Sequence, residues 1–208
     1  VSRIWVLAGT NGAGKSSIGG AMLRESGGDY FNPDEAAAKI SERRPTIGQT
    51  RANAEAWRLG LRQLEGCIEK GDDYFFETTL GGRTIAARLA AALAANIEVR
   101  IWYVGLDSPE RHLKRVASRV ALGGHDIPER DIRRRFDDSR KNLIALLPRL
   151  TELKVFDNST EGDPALDETP SPVLVLHTEK GRIRGPKDLT RTPEWAKPIV
   201  AQAMKHKR

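Results

Sequence analysis

The run Gly9-Thr10-Asn11-Gly12-Ala13-Gly14-Lys15-Ser16 constrains this chain more than any other. It fits G-x-x-x-x-G-K-[ST], the phosphate-binding P-loop. That motif works only between a strand and a helix, and both flanks are legible. Arg3-Ile4-Trp5-Val6-Leu7-Ala8 reads as a buried strand, and Ile18, Ala21 and Met22 fall at helical spacing after Ser16. Glycines let the backbone curl without Cβ clashes, so consecutive N–H groups converge on phosphate oxygens. The helix N-terminus adds partial positive charge. The motif therefore predicts ATP contacts from Gly9, Asn11, Gly12, Ala13, Gly14, Lys15, Ser16 and Ser17. Lys15 would reach the β and γ phosphates, and Ser16 would ligate Mg²⁺.

At 208 residues the expectation is a single domain, 1–208, able to bury a core. Hydrophobic content of 39% and charged content of 30% fit a soluble globular chain. No apolar run of about 18 residues exists, so no membrane span is expected. The first strand leads straight into the P-loop, so no signal peptide is expected. Cys67 is the only cysteine, so no internal disulfide forms, which favours the cytoplasm. The four histidines do not cluster at zinc-type spacing. The net charge of +6 suits either nucleic acid or a nucleotide site. Many of the arginines lie between Arg111 and Arg140.

Strands and helices alternate along the chain. A short second strand is expected over 29–32, then helices over 35–40 and 46–70, the latter with Trp57, Leu61, Leu64 and Ile68 on its buried face. A strand at 74–76, a helix over 84–96 and a strand over 99–104 follow. Ser108-Pro109-Glu110 opens a helix with a cap, a proline and an acid. Gly123-Gly124 closes it, and Pro128-Glu129 opens another with Ile132, Phe136, Leu143 and Leu147 buried. A strand at 153–156, a hairpin around Glu179-Lys180-Gly181 and a helix over 193–205 complete the chain. This order predicts an α/β fold with a mainly parallel sheet flanked by helices, a lid over about 108–149 and a C-terminal hairpin plus helix over about 172–206.

In such sheets ligands bind beyond the carboxyl ends of the strands, so those ends hold the candidates. Asp34 ends the second strand and either caps the next helix or orients an attacking hydroxyl. It does only one of these well, because a carboxylate bonded to helix N–H groups is a poorer base. Glu77, with Thr78 and Thr79, is either a polar loop start, a water-mediated Mg²⁺ contact or a grip on substrate hydroxyls. Asp157-Asn158-Ser159 is either a turn or part of an adenine pocket. Arg111, Arg115 and Arg119 form one stripe opposite Leu113, Val116, Ala117 and Val120. With Arg133, Arg134 and Arg135 on the next helix, they suggest an arginine lid over phosphates. A single well-placed arginine is worth about 10³–10⁵ in rate in phosphoryl transfer.

The P-loop, Phe31-Asn32-Pro33-Asp34-Glu35, Phe76-Glu77-Thr78-Thr79-Leu80, Gly123-Gly124-His125-Asp126-Ile127-Pro128 and Phe156-Asp157-Asn158-Ser159 together resemble the short zeta-toxin-like P-loop kinases. The resemblance covers roughly 3–160. It implies a kinase core with a helical lid, ATP and Mg²⁺ as cofactors, UDP-N-acetylglucosamine as acceptor and a helical antitoxin as partner. It also implies Asp34 as catalytic base, Glu77 as substrate-site acid and Arg115 or Arg119 as the first lid arginine. The second lid arginine of the long toxins falls in a region holding His125 and Arg133 to Arg135, with Arg134 the catalytic candidate and His125 a substrate contact.

Three functions are compatible with these residues. The first is a small-molecule kinase acting on a nucleotide sugar. The second is a nucleic-acid-end kinase or nucleic-acid-stimulated ATPase, suggested by the charge and opposed by the lack of an aromatic platform among the basic residues. The third is a nucleotide-dependent interaction protein.

Overall fold

A computed structural model describes residues 2–16, 18–20, 22, 30–160 and 171–205. Seven strands form one sheet in the order β2-β3-β1-β4-β5-β6-β7. They are β1 Arg3–Ala8, β2 Tyr30–Phe31, β3 Tyr74–Thr78, β4 Glu98–Gly105, β5 Glu152–Asp157, β6 Val173–Glu179 and β7 Arg182–Gly185. The first five pair in parallel, and β6 and β7 extend the sheet antiparallel. The expected hairpin thus continues the main sheet. The segments that precede β2 and β6 include residues outside those described, among them Asp29 of the second-strand expectation.

Alternation along β1 sorts the core onto two faces. Ile4, Val6 and Ala8 face a cluster built by helices α2 Gln49–Lys70, α3 Arg83–Ala94, α5 Glu129–Leu146 and α6 Lys197–Lys205. Trp5 and Leu7 face Ile18 and Met22 of the helical turn after the P-loop. Helix α1 Pro33–Arg43 pairs with α2, and α4 Pro109–Ala121 packs on α5. Among the described residues no helix is long and apolar enough to cross a membrane.

Three expectations change. The second helix buries Ala52, Ala56, Gly60 and Leu64, while Trp57 is 46% exposed. Small residues win this face because β2 lies close: a Cβ on Gly60 would sit 2.5 Å from Cε1 of Phe31. On α4, Ala117 is exposed and His112 is buried with Val116, so the packed face is turned from the expected one. The predicted lid is only partly separate. Ser139, Leu143 and Leu146 of α5 are buried, the two leucines within the main core, while the start of α5 packs through Ile132 against Val116 of α4.

Candidate functional site

The P-loop leaves β1 between the ends of β3 and β4. Gly9 donates its N–H to the Thr78 carbonyl at 3.2 Å. Its φ is +147°, and a Cβ there would lie 2.3 Å from the Val104 carbonyl oxygen. Gly12 and Gly14 also have positive φ, +79° and +81°. The three glycines let the loop turn where L side chains are strained. Helix α4 closes on this loop, with a Cβ on Gly12 meeting the His112 carbonyl oxygen at 2.9 Å. Residues after β5 hold its other side. Asn158 donates its side-chain N–H to the Ala13 carbonyl at 2.9 Å, and Arg115 donates to the Asn158 carbonyl at 2.8 Å. The Asp157-Asn158-Ser159 segment therefore clamps the loop as well as turning the chain.

Lys15 is 9% exposed and donates to the Gly9 carbonyl at 2.8 Å. Its ammonium also lies 3.4 Å from Oε1 of Glu77, whose Oε2 accepts a hydrogen bond from the Tyr30 hydroxyl. Burial and the Glu77 charge push the Tyr30 phenol well up from its ordinary value, so it acts as the donor. Asn32 accepts from the backbone N–H groups of Asp34 and Glu35 and is the cap of α1. Asp34 is thereby left free of capping. Its half-exposed carboxylate faces Nη1 of Arg119 at 3.8 Å.

The lid reaches the loop through Arg135. This guanidinium donates to Oδ1 of Asn11 at 2.7 Å, and Thr10 donates to the Arg135 carbonyl at 3.3 Å. Burial pulls the Arg135 pKa below its ordinary value. Gly81 admits it, since a Cβ there would lie 2.8 Å from Cγ of Arg135. Ser139 and Asn142 tie α5 to the same loop through the Thr79 and Leu80 carbonyls.

The structure thus brings Lys15, Asp34, Glu77, Arg115 and Arg119 to the P-loop region, and leaves other predicted residues aside. Arg134 is exposed and pairs with Asp131 at 3.3 Å. Arg119 is held by the backbone carbonyl of His125, not by its ring. The hydroxyls of Thr78 and Thr79 accept N–H groups of Leu80 and Gly81 and shape their own loop. Ser16 is exposed at the helix start, and Ser17 lies outside the described residues. Among the described residues no group of three or more His, Cys, Asp and Glu side chains could hold a metal ion. The glycine cradle and the buried lysine fit a phosphate chain, and the donor set is otherwise backbone N–H.

The sequence reading passed over His112 and Tyr30, gave Arg134 rather than Arg135 the catalytic part, and left Asn158 between a turn and an adenine pocket. For Arg135 a signal existed. It lies three residues after buried Ile132 and four before buried Ser139, the spacing of one helix face. Arg134 lies two after Ile132, on the outer side.

His112 is 1% exposed, and burial lowers its pKa to about 4, with Lys15 and Arg115 adding to the shift against the Asn11 carbonyl and Asp107. The unfolded chain takes up this proton near pH 6.5 and the folded chain only near 4. Stability should therefore fall by up to ~3 kcal/mol as pH drops through that window. Urea unfolding at pH 7 and pH 4.5 measures the loss, and His112→Phe should remove this share of it.

The model of the AAA domain family AAA_33 matches residues 4–142. This chain belongs to that family. A relative, an uncharacterized protein of Haemophilus influenzae, is 27% identical over 141 residues, 64% of this chain and 97% of its own length. Among solved structures, a chain of the AvrRxo1-ORF1:AvrRxo1-ORF2 complex with sulphate ions superposes with a TM-score of 0.64 at 17% identity. The match covers 97% of this chain and 63% of that one. The AvrRxo1 complex with ATP gives 0.61 at 16% identity over the same shares, 97% and 63%. The PezAT toxin-antitoxin system of Streptococcus pneumoniae gives 0.52 at 14%, covering 82% of this chain and 74% of that one. This chain therefore spans under two thirds of these two AvrRxo1 chains. The likeness is one of fold: a P-loop kinase-like sheet flanked by helices.

Proposed function

We propose that this chain is a phosphotransferase that binds ATP–Mg²⁺ on Gly9–Ser16 and passes the γ-phosphoryl group to a small-molecule hydroxyl. The observation that carries this reading is the division of labour at the end of β2. Asn32 caps the helix, so Asp34 keeps a free carboxylate beside a lid arginine. Asp34 accepts the proton of the attacking hydroxyl. Lys15 and the backbone of Gly12 to Ser16 hold the phosphates. Arg119 and Arg135 supply positive charge where it builds up in transfer, with Arg115 steadying the loop. Ser16 would hold Mg²⁺, which would supply neutralising charge to the phosphates. Glu77, released from Lys15, holds the acceptor.

The acceptor proposed first is a nucleotide sugar, UDP-N-acetylglucosamine, with the chain acting in the cytoplasm as a zeta-type toxin and an antitoxin as partner. The motif resemblance supports this choice, and the AvrRxo1 and PezAT neighbours are themselves described as complexes with a partner or antitoxin. The test is incubation with labelled ATP, Mg²⁺ and a panel of nucleotide sugars, read by mass spectrometry. Gain of one phosphate by a sugar nucleotide is the expected result. ATP turnover with no phosphorylated panel member would reject this acceptor class. Stimulation by RNA or DNA that fades with salt would instead favour the nucleic-acid reading. The pairing of Arg111 with Asp107, and of Arg133 with Glu110 and Glu129, weakens that alternative, because these cations are already neutralised locally.

The two neighbouring arginines separate cleanly. Arg135→Ala should lower turnover by about 10²–10³, the usual cost of removing one preorganised donor. Arg134→Ala should stay within about twofold, as exposed ion pairs contribute little. Steady-state rates at saturating ATP decide between them.

A further inference from the structure

We propose that His112 is a positioning residue for the nucleotide, holding the Asn11–Gly12 peptide so that the Gly12 N–H faces the phosphates. The inference rests on the nucleotide-binding reading above and assigns a helix outside the P-loop to its geometry. The imidazole Nδ1 lies 2.8 Å from the Asn11 carbonyl oxygen. A carbonyl only accepts, so Nδ1 carries the proton and donates. The Asn11–Gly12 bond is trans, and in a trans peptide the C=O and the following N–H point in opposite directions. With the carbonyl tied towards α4, the Gly12 N–H is turned away from α4 and into the curl of the loop.

The rest of the packing keeps this arrangement from relaxing. The His112 ring is fully buried and meets the Phe136 ring edge-on at 5.7 Å. The Arg140 guanidinium lies over the Phe136 ring, 4.0 Å from its centroid. The missing Cβ of Gly12 would be 2.9 Å from the His112 carbonyl oxygen and 3.3 Å from Cγ2 of Val116. Helix and loop are therefore fitted backbone to backbone, and glycine with positive φ at position 12 is what permits the turn. A peptide free to rotate here presents a carbonyl to the phosphates part of the time, and two negative groups then oppose each other. One hydrogen bond from α4 removes that alternative and links lid position to nucleotide affinity.

The test compares wild type with His112→Phe, His112→Asn and His112→Gln. Phenylalanine keeps a ring against Phe136 and loses the donor. Asparagine places an amide N–H near the position of Nδ1, whereas glutamine places it further out. Affinity for ATP and for inorganic tripolyphosphate is measured by calorimetry, alongside the melting temperature and the Gly12 amide resonance of the free protein. His112→Phe should bind both ligands about tenfold more weakly, the worth of one hydrogen bond. His112→Asn should regain most of that loss, His112→Gln should not, and the Gly12 resonance should move in step. A His112→Phe protein that melts lower yet binds normally with an unmoved Gly12 resonance would overturn the assignment. So would equal binding by the asparagine and glutamine variants, which decides the matter even if His112→Phe fails to fold. Wild type that binds neither ligand removes the nucleotide reading, while the Gly12 resonance across the variants still decides the role of His112.

Discussion

Asp34→Asn should bind ATP as wild type does and lose transfer by about 10²–10⁴, the range for removing a general base. The reasoning runs through hydrogen bonds. A carboxylate at the start of a helix ordinarily serves the exposed N–H groups there. Here Asn32 does so, accepting from the Asp34 N–H at 2.8 Å and the Glu35 N–H at 3.4 Å. The Asp34 side chain is 54% exposed and its charged neighbour is Arg119, 3.8 Å away. An amide in its place keeps the volume and the helix but takes up no proton. The affinity for ATP should hold because the proposed phosphate site lies on the loop after β1 and not on α1. Single-turnover transfer from labelled ATP checks this, and near-normal turnover would remove Asp34 from the mechanism.

Lys15→Ala should abolish both nucleotide binding and transfer, and it should also destabilise the fold. The first effect is loss of the cation that meets the β and γ phosphates. The second comes from Glu77, whose side chain is 16% exposed and faces the Lys15 ammonium at 3.4 Å. Without Lys15, the hydrogen-bond partner left to that carboxylate among the described residues is the Tyr30 hydroxyl. Leaving a buried polar group short of a partner costs about 1–3 kcal/mol, and more when it is charged. The double variant Lys15→Ala with Glu77→Gln should regain stability in urea unfolding and remain unable to bind ATP. Equal stability of the single variant and wild type would mean that the Lys15–Glu77 pair does not hold the empty site together.

Glu77 shows how far strand ends can be read in advance. Position alone placed it beside the loop, because parallel strands end on one side of a sheet. It said nothing of Lys15 and Tyr30 as its partners, which come from β1's loop and from β2. The α5 stripe shows the same limit from the other direction. Ile132 and Leu143 mark the buried face by helical spacing, and that spacing favours Arg135 over Arg134. Family resemblance pointed to the region without resolving the residue. Helical spacing with Leu61, Leu64 and Ile68 placed Trp57 on the buried face, yet that face turns through Gly60, where the Phe31 ring leaves no room for a side chain.

What the sequence by itself determined is local: a strand, a glycine turn and a helix start in unbroken order, and an alternation that makes the sheet mainly parallel. These follow from backbone freedom and hydrophobic period, which neighbouring residues carry among themselves. Tertiary structure alone decided which partners meet. His112 on the Asn11 carbonyl, Arg135 on Asn11 and Asn158 on Ala13 are each more than 100 residues apart. Such bonds depend on how helices seat against the loop to within about an ångström, and that is settled only when the whole core packs.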